Sequence, residues 1–291
     1  MTRLKIFLFT LLIGFSFFNC STQSDKIILV QSSNPDKPYE IMDVPYGNED
    51  GQTFDIYLPA DRTTLTKTMI LIHGGGWLAG DKEDMALYVD FLKTSFPEMA
   101  IININYRLAS EEEDPYPMQL EDISQLITFL KDNNQQLVIS DEFGFIGASA
   151  GGHLAMLWAY DFDMDNNIKM VCSVVGPTNF NDPVYENNDD WFVQVLIETI
   201  GGENPTVEHF EQVSPYNRAK ENAPPTILFY GDDDTLVPPS QGNVMHDKLN
   251  QLNVPNELTI YQNEGHGWDG EQMEDTKIKL QNFITTHFSQ D

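Results

Sequence analysis

The sequence predicts an α/β domain wound on both faces of a twisted, mostly parallel sheet. Short apolar runs bounded by Gly and Pro have the pattern of buried strands. Amphipathic stretches with apolar residues at three-to-four spacing lie between them, and the two kinds alternate along the chain. The 291 residues suffice for one large domain with a buried core, and no repeat or linker divides them.

The strand-like runs are FDIYLP from Phe54, KTMILIH from Lys67, MAIININYR from Met99, FGFIGAS from Phe143, KMVCSVVG from Lys169, PTILFYG from Pro225 and ELTIYQ from Glu257. Several are continuously apolar, as strands covered on both faces are. The helical stretches are EDMALYVDFLKTSF from Glu83, PMQLEDISQLITFLKDN from Pro117, SQGNVMHDKLNQL from Ser240 and DTKIKLQNFITTHF from Asp275. Residues from about 178 to 223 break the alternation. They are too many for an ordinary connection and contain a helical pattern from Trp191 to Ile200, so they are read as a small lid-like insertion. Trp77, Trp191 and Phe192 are the candidate pocket residues.

The first residues read as a signal peptide over 1–19. Arg3 and Lys5 precede an apolar run, Ile6 to Phe18, that is too short for a comfortable membrane span. Cys20 stands where a bacterial lipoprotein carries its lipidated cysteine, although Phe17 and Asn19 depart from the usual residues there. Polar residues after it read as a tether over 20–38, with the domain over 39–291. The expectation is an exported protein, anchored to a bacterial membrane through Cys20 or otherwise secreted or periplasmic. Cys172, in an apolar run, reads as a buried core thiol.

The formal net charge is −29 and the isoelectric point is near 4.2, which argues against nucleic acid as a partner. The acidic residues form short clusters, the pattern of a hydrated surface.

The chemistry is carried by four stretches. In Gly147-Ala148-Ser149-Ala150-Gly151 the serine lies between a strand and a helix, with glycine two residues to either side. Such a turn exposes the hydroxyl at a helix N-terminus, where developing negative charge is favoured. A serine needs a base. Of six histidines, His266 lies in a glycine-flanked loop after the last strand, whereas His153 sits on the helix after Ser149 and its ring is expected under the turn. A base needs an orienting acid. Asp232, Asp233 and Asp234 all follow a strand, and the strand-end position and the following Leu-Val-Pro favour Asp234. The others are expected as turn residues bonding their own backbone. His73-Gly74-Gly75-Gly76-Trp77 follows another strand. Its glycines let N–H groups converge as a tetrahedral oxyanion requires, and the N–H of Ala150 would join them.

Two rival motifs are weaker. Gly75 to Lys82 nearly forms a phosphate loop, but its lysine is displaced by one and acidic residues surround it. Asp161, Asp163 and Asp165 begin like a calcium loop but lack its glycine and terminal glutamate. No zinc spacing occurs, and neither metal nor cofactor is expected.

Taken together, HGGGW, GASAGG, GDDDTLVP and EGHGW, in the order Ser, Asp, His, resemble the α/β-hydrolase superfamily in its bacterial carboxylesterase branch. The resemblance runs from about Glu40 to the end and is nearest to acetyl- and feruloyl-esterase relatives. Ala148 departs from the acidic residue usual in hormone-sensitive-lipase relatives. The resemblance implies Ser149 as nucleophile, Asp234 as acid, His266 as base, and Gly75, Gly76 and Ala150 as oxyanion donors. It further implies a small or carbohydrate-linked ester as substrate, with a formamidase or peptidase relative and a non-catalytic binding module as the alternatives.

Overall fold

The apolar runs pair into one eight-stranded sheet in the computed structural model, which describes residues 33–186, 188–202 and 205–289. The expected signal peptide, Cys20 and the first part of the tether lie outside the described residues. In chain order the elements are β1 (Tyr39–Pro45), β2 (Thr53–Leu58), β3 (Thr68–Ile72), α1 (Ala86–Ser95), β4 (Ala100–Ile104), α2 (Pro115–Leu137), β5 (Phe143–Ala148), α3 (Ala150–Asp161) and β6 (Ile168–Val174). The insertion supplies α4 (Pro183–Glu186), α5 (Trp191–Gly201), α6 (Val207–Val213) and α7 (Pro215–Arg218). Then come β7 (Thr226–Gly231), α8 (Ser240–Gln251), β8 (Asn256–Tyr261) and α9 (Gly270–His287).

The sheet order is β1-β2-β4-β3-β5-β6-β7-β8. β1, β2 and β4 pair antiparallel, and from β4 through β8 every pair is parallel. Alternate strand residues enter two cores. Ile70, Ile72, Phe143 and Phe145 meet Ile123, Leu126 and Leu154 of α2 and α3. Met69, Leu71, Ile146 and Met170 meet Leu92, Leu280 and Phe283 of α1 and α9. The chain leaves β3 for β4 on one side and returns to β5 on the other. The strand order therefore reverses around β3, and the crevice beyond its carboxyl end is where a ligand site is expected in such a sheet.

β1 was not among the strands read from the sequence. It is an edge strand with only Val44 fully buried, so it carries no continuous apolar run. The tether reading also changes at its end. Arg62 is buried, and its guanidinium donates to the carbonyls of Ser33, Asn34, Lys37 and Leu137. A buried guanidinium requires such acceptors, so the chain packs on the domain from Ser33 onward. Cys172 is a free, buried thiol whose ionisation burial pushes far up.

The rival motifs have other duties. Lys82 is buried against Asp43 and Asp55, at 2.8 and 3.3 Å. Asp161 pairs with Arg218 and Lys220, Asp163 accepts from the Asn167 and Ile168 N–H groups, and Asp165 pairs with Lys131. Three carboxylates turned to three different partners do not form a calcium loop.

Candidate active site

Ser149 stands between β5 and α3 with φ 52° and ψ −121°, a conformation a non-glycine residue adopts only when its surroundings hold it there. Its N–H donates to the Val174 carbonyl of β6 at 2.7 Å. Gly151 makes the turn sterically possible, because a Cβ there would lie 2.1 Å from the Ile72 oxygen of β3. The turn therefore fits only with a bare backbone against the neighbouring strand.

His266 reaches Ser149 from the loop between β8 and α9. Its Nε2 lies 2.9 Å from Ser149 Oγ, and its Nδ1 lies 2.7 Å from Asp234 Oδ2. An ionised carboxylate only accepts, so Nδ1 carries the ring proton and donates it to Asp234. Nε2 is then a lone pair, and the Ser149 hydroxyl donates to it. Asp234 is 4% exposed. Its other oxygen accepts the Leu236 and Val237 N–H groups at 2.9 and 3.0 Å.

The aspartate cluster divides differently from the sequence reading. Asp234 itself makes the local side-chain-to-backbone turn. Asp232 instead accepts the Asn263 N–H, 31 residues away, which steadies the loop that carries His266. The Asp233 N–H donates to Glu264 in the same loop.

Gly75 and Gly76 follow β3 at φ +109° and +60°. A Cβ at Gly75 would lie 2.0 Å from the Ala79 oxygen, so only glycine closes this turn. Ala150 opens α3, where an N–H has no intrahelical acceptor. The N–H groups of Gly75 and Gly76 likewise have no protein acceptor among the described residues. All three residues line one cavity with Ser149 and His266.

That cavity holds about 300 Å³, and its remaining wall is mostly apolar, with Trp77, Pro177, Phe192, Leu196, Leu236 and Val237 among its residues. Trp77 and Phe192 are thus in the wall. Trp191 is not: it is 73% exposed and stands outside, edge-on to Phe192 at 5.6 Å. Consecutive helical residues point about 100° apart. On α5 it is therefore Phe192 and Leu196, four residues apart, that face the serine. That spacing was the signal by which Leu196, unmarked in the sequence reading, could have been found. Pro177, Leu236 and Val237 carry no such signal.

His153 does lie under the turn, 1% exposed. Burial pushes its pKa down to about 4. The insertion is fastened at its start to α8. Gln241 of α8 accepts the Thr178 and Asn179 N–H groups and donates to Asp182. Among the described residues, no group of three or more His, Cys, Asp or Glu side chains is placed to hold a metal ion.

Comparison with known proteins bears on the family and the fold. The BD-FAE family model matches residues 54–249. Esterase LipC of Mycobacterium tuberculosis is 25% identical over 78% of this chain and 59% of its own. An isoprenylcysteine alpha-carbonyl methylesterase of Arabidopsis thaliana is 24% identical over 77% of this chain and 55% of its own. This chain thus spans little more than half the length of those two relatives. The versiconal hemiacetal acetate esterase of Dothistroma septosporum is 26% identical over 84% and 80%. Among solved structures, a truncated carbohydrate esterase from gut microbiota superposes with a TM-score of 0.71 at 21% identity, covering 87% of this chain and 99% of that one. An acetyl ester-xyloside bifunctional hydrolase from Caldicellulosiruptor lactoaceticus gives 0.69 at 19% identity, covering 88% and 98%. The fold is the α/β-hydrolase fold.

Proposed function

The chain belongs to the BD-FAE family, and from that premise we propose that it is a serine carboxylic-ester hydrolase. The observation that carries this is the continuous hydrogen-bond chain from Ser149 through His266 to Asp234, at 2.9 and 2.7 Å. His266 Nε2 takes the Ser149 proton as Oγ attacks the ester carbonyl. Asp234 holds the tautomer and stabilises the imidazolium. The carbonyl oxygen, now an oxyanion, accepts from the N–H groups of Gly75, Gly76 and Ala150, three residues that line the cavity. His266 returns the proton to the departing alcohol, leaving an acyl group on Ser149. Water then gives a proton to His266 as its oxygen adds to the acyl carbonyl, and His266 passes that proton to Ser149 Oγ as the Ser149–acyl bond breaks and the acid departs.

The substrate we propose is a small or carbohydrate-linked ester with a short acyl group. A cavity of about 300 Å³ is at the small end of ligand pockets and suits the acyl side. A larger alcohol part must lie outside it. Trp191 offers a flat aromatic face there for a neutral sugar ring, and the net charge of −29 disfavours polyanions. The named specificities of the relatives and structural neighbours, acetate and carbohydrate esters among them, favour the same class.

The test is hydrolysis of an aryl acetate by the purified protein and by Ser149→Ala. The variant is expected to lose at least about 10³-fold in kcat. Equal rates would sink the assignment. Parallel assays on acetylated xylo-oligosaccharide, a feruloyl ester and an N-formyl amide define the substrate class.

We propose also that the protein is exported and held at a bacterial membrane through lipidated Cys20. Labelling cells with an alkynyl fatty acid should mark the wild type and not Cys20→Ala. Equal labelling of the two, or none of the wild type, would refute this.

A further inference from the structure

Trp77 closes the turn that carries Gly75 and Gly76. Its own φ is +65°, a left-handed conformation that is unfavourable for an L-residue. Contacts must therefore hold it. Its carbonyl accepts from the Ala109 N–H at 2.9 Å and the Gln119 side-chain amide at 2.8 Å. Its indole is 2% exposed and packs edge-on against His153 and Phe180, with centroids 5.3 and 5.9 Å away.

The polar contact of that indole is the informative one. Trp77 Nε1–H donates to His153 Nδ1 at 3.1 Å. An indole nitrogen can only donate, so Nδ1 is bare and the ring proton sits on Nε2. From there it is donated to the Val213 carbonyl at 2.7 Å. His153 lies one helical turn after Ser149, and its backbone N–H donates to the Ser149 carbonyl at 3.0 Å. One neutral imidazole thus joins the glycine turn, the helix that opens at Ser149, and α6 of the insertion.

We infer that His153 is a positioning residue: through Trp77 it holds the N–H groups of Gly75 and Gly76 at the distance from Ser149 that a tetrahedral oxyanion requires. This rests on the hydrolase reading above and extends it to a side chain that touches no reacting atom. Burial, by disfavouring the imidazolium, keeps the ring in the form the contact needs. Protonation would set N–H against N–H at Trp77. Leucine at this position fills similar space but can neither accept nor donate. Glutamine presents one acceptor and one donor, so it can serve Trp77 and Val213 together.

The test compares wild type, Ser149→Ala, His153→Leu, His153→Gln and Trp77→Phe on an aryl acetate, with rates expressed per folded molecule. An aryl trifluoromethyl ketone, which adds to the serine and places an alkoxide at the oxyanion position, is the second probe. His153→Leu is expected to lower kcat about 10- to 100-fold, with KM within about 3-fold and ketone affinity weakened in parallel with kcat. His153→Gln should recover kcat to within about 5-fold of wild type, and Trp77→Phe should follow His153→Leu. A packing role alone would lower the melting temperature yet leave kcat and ketone affinity of the folded protein unchanged, and that result overturns the inference. So does a His153→Gln variant as impaired as His153→Leu. If His153→Leu does not fold, Trp77→Phe and His153→Gln carry the same comparison. Wild-type turnover no greater than that of Ser149→Ala would instead refute the hydrolase reading itself, so the two failures are distinct.

Discussion

Replacing Asp234 by asparagine exchanges one oxygen for NH₂, and the surroundings decide where that NH₂ goes. One carboxylate oxygen accepts two backbone N–H groups, from Leu236 and Val237, while the other faces His266 Nδ1 at 2.7 Å. Only the amide oxygen of asparagine can accept. If it turned toward His266, two N–H donors would face an NH₂ group at a site only 4% exposed. Each donor left unpaired costs ~1–3 kcal/mol, so the reversed orientation is disfavoured by ~2–6 kcal/mol. The NH₂ therefore faces His266 and donates to Nδ1. The ring proton moves to Nε2, which points at Ser149 Oγ from 2.9 Å. A protonated Nε2 cannot take the hydroxyl proton. The corresponding substitution in serine proteases lowers kcat about 10⁴-fold, which is about 5.5 kcal/mol at 1.36 kcal/mol per decade. We expect a loss of that order on an aryl acetate, with the melting temperature little changed, since both backbone bonds survive. Asp232→Asn, whose oxygen can still accept the Asn263 N–H, should stay within about threefold of wild type. An Asp234→Asn enzyme retaining a tenth of the wild-type kcat, or an Asp232→Asn enzyme as damaged as Asp234→Asn, would refute the reasoning.

Gly151→Ala should abolish soluble, active protein, because its Cβ would meet the Ile72 oxygen at 2.1 Å and the His73 oxygen at 2.4 Å, whereas Gly265→Ala, beside the base, meets nothing within 4 Å. Expression and activity of the two check this, and equal tolerance would count against the packed turn. The pKa of His153, depressed to about 4 in the folded state against about 6.5 unfolded, sets the sign of a pH effect: below 6.5 the unfolded chain takes a proton that the folded one refuses. The groups packed around it, Trp77, Phe180 and the Val213 carbonyl, do not titrate. Relative to His153→Gln, the wild type should therefore lose ~2–3 kcal/mol of stability between pH 7 and 4.5 in urea unfolding, and a pH-independent difference would contradict it. Trp191→Ala should leave aryl-acetate turnover unchanged and raise KM several-fold on acetylated xylo-oligosaccharide. An unchanged KM would remove Trp191 from substrate binding.

Strands and helices from Phe54 onward, apart from the short helices α4, α6 and α7 of the insertion, were legible because each is written in local periodicity. The serine turn was legible because its two glycines stand at fixed offsets from Ser149, Gly147 answering a clash within the turn itself and Gly151 one with the neighbouring strand β3. β1 was not legible, since an edge strand buries too little to leave an apolar pattern. Trp191 was placed in the pocket because a tryptophan invites that reading, yet the phase of α5 hands the site to Phe192 and Leu196 instead. The Trp77–His153 contact spans 76 residues and left no mark on either neighbourhood.

The residue types and their order along the chain were determined by the sequence itself. Ser149 on its turn, a loop histidine after the last strand, and three aspartates at a strand end follow from local sterics and hydrogen bonding. Tertiary structure decided which groups meet. Ser149 and His266 are 117 residues apart, and His266 and Asp234 are 32 apart. They converge because β5, β7 and β8 run parallel and end at the same edge of the sheet, an alignment set by packing across the whole core. The same packing chose Asp234 over its two neighbours, by burying its carboxylate against the Leu236 and Val237 N–H groups and turning Asp232 outward to Asn263.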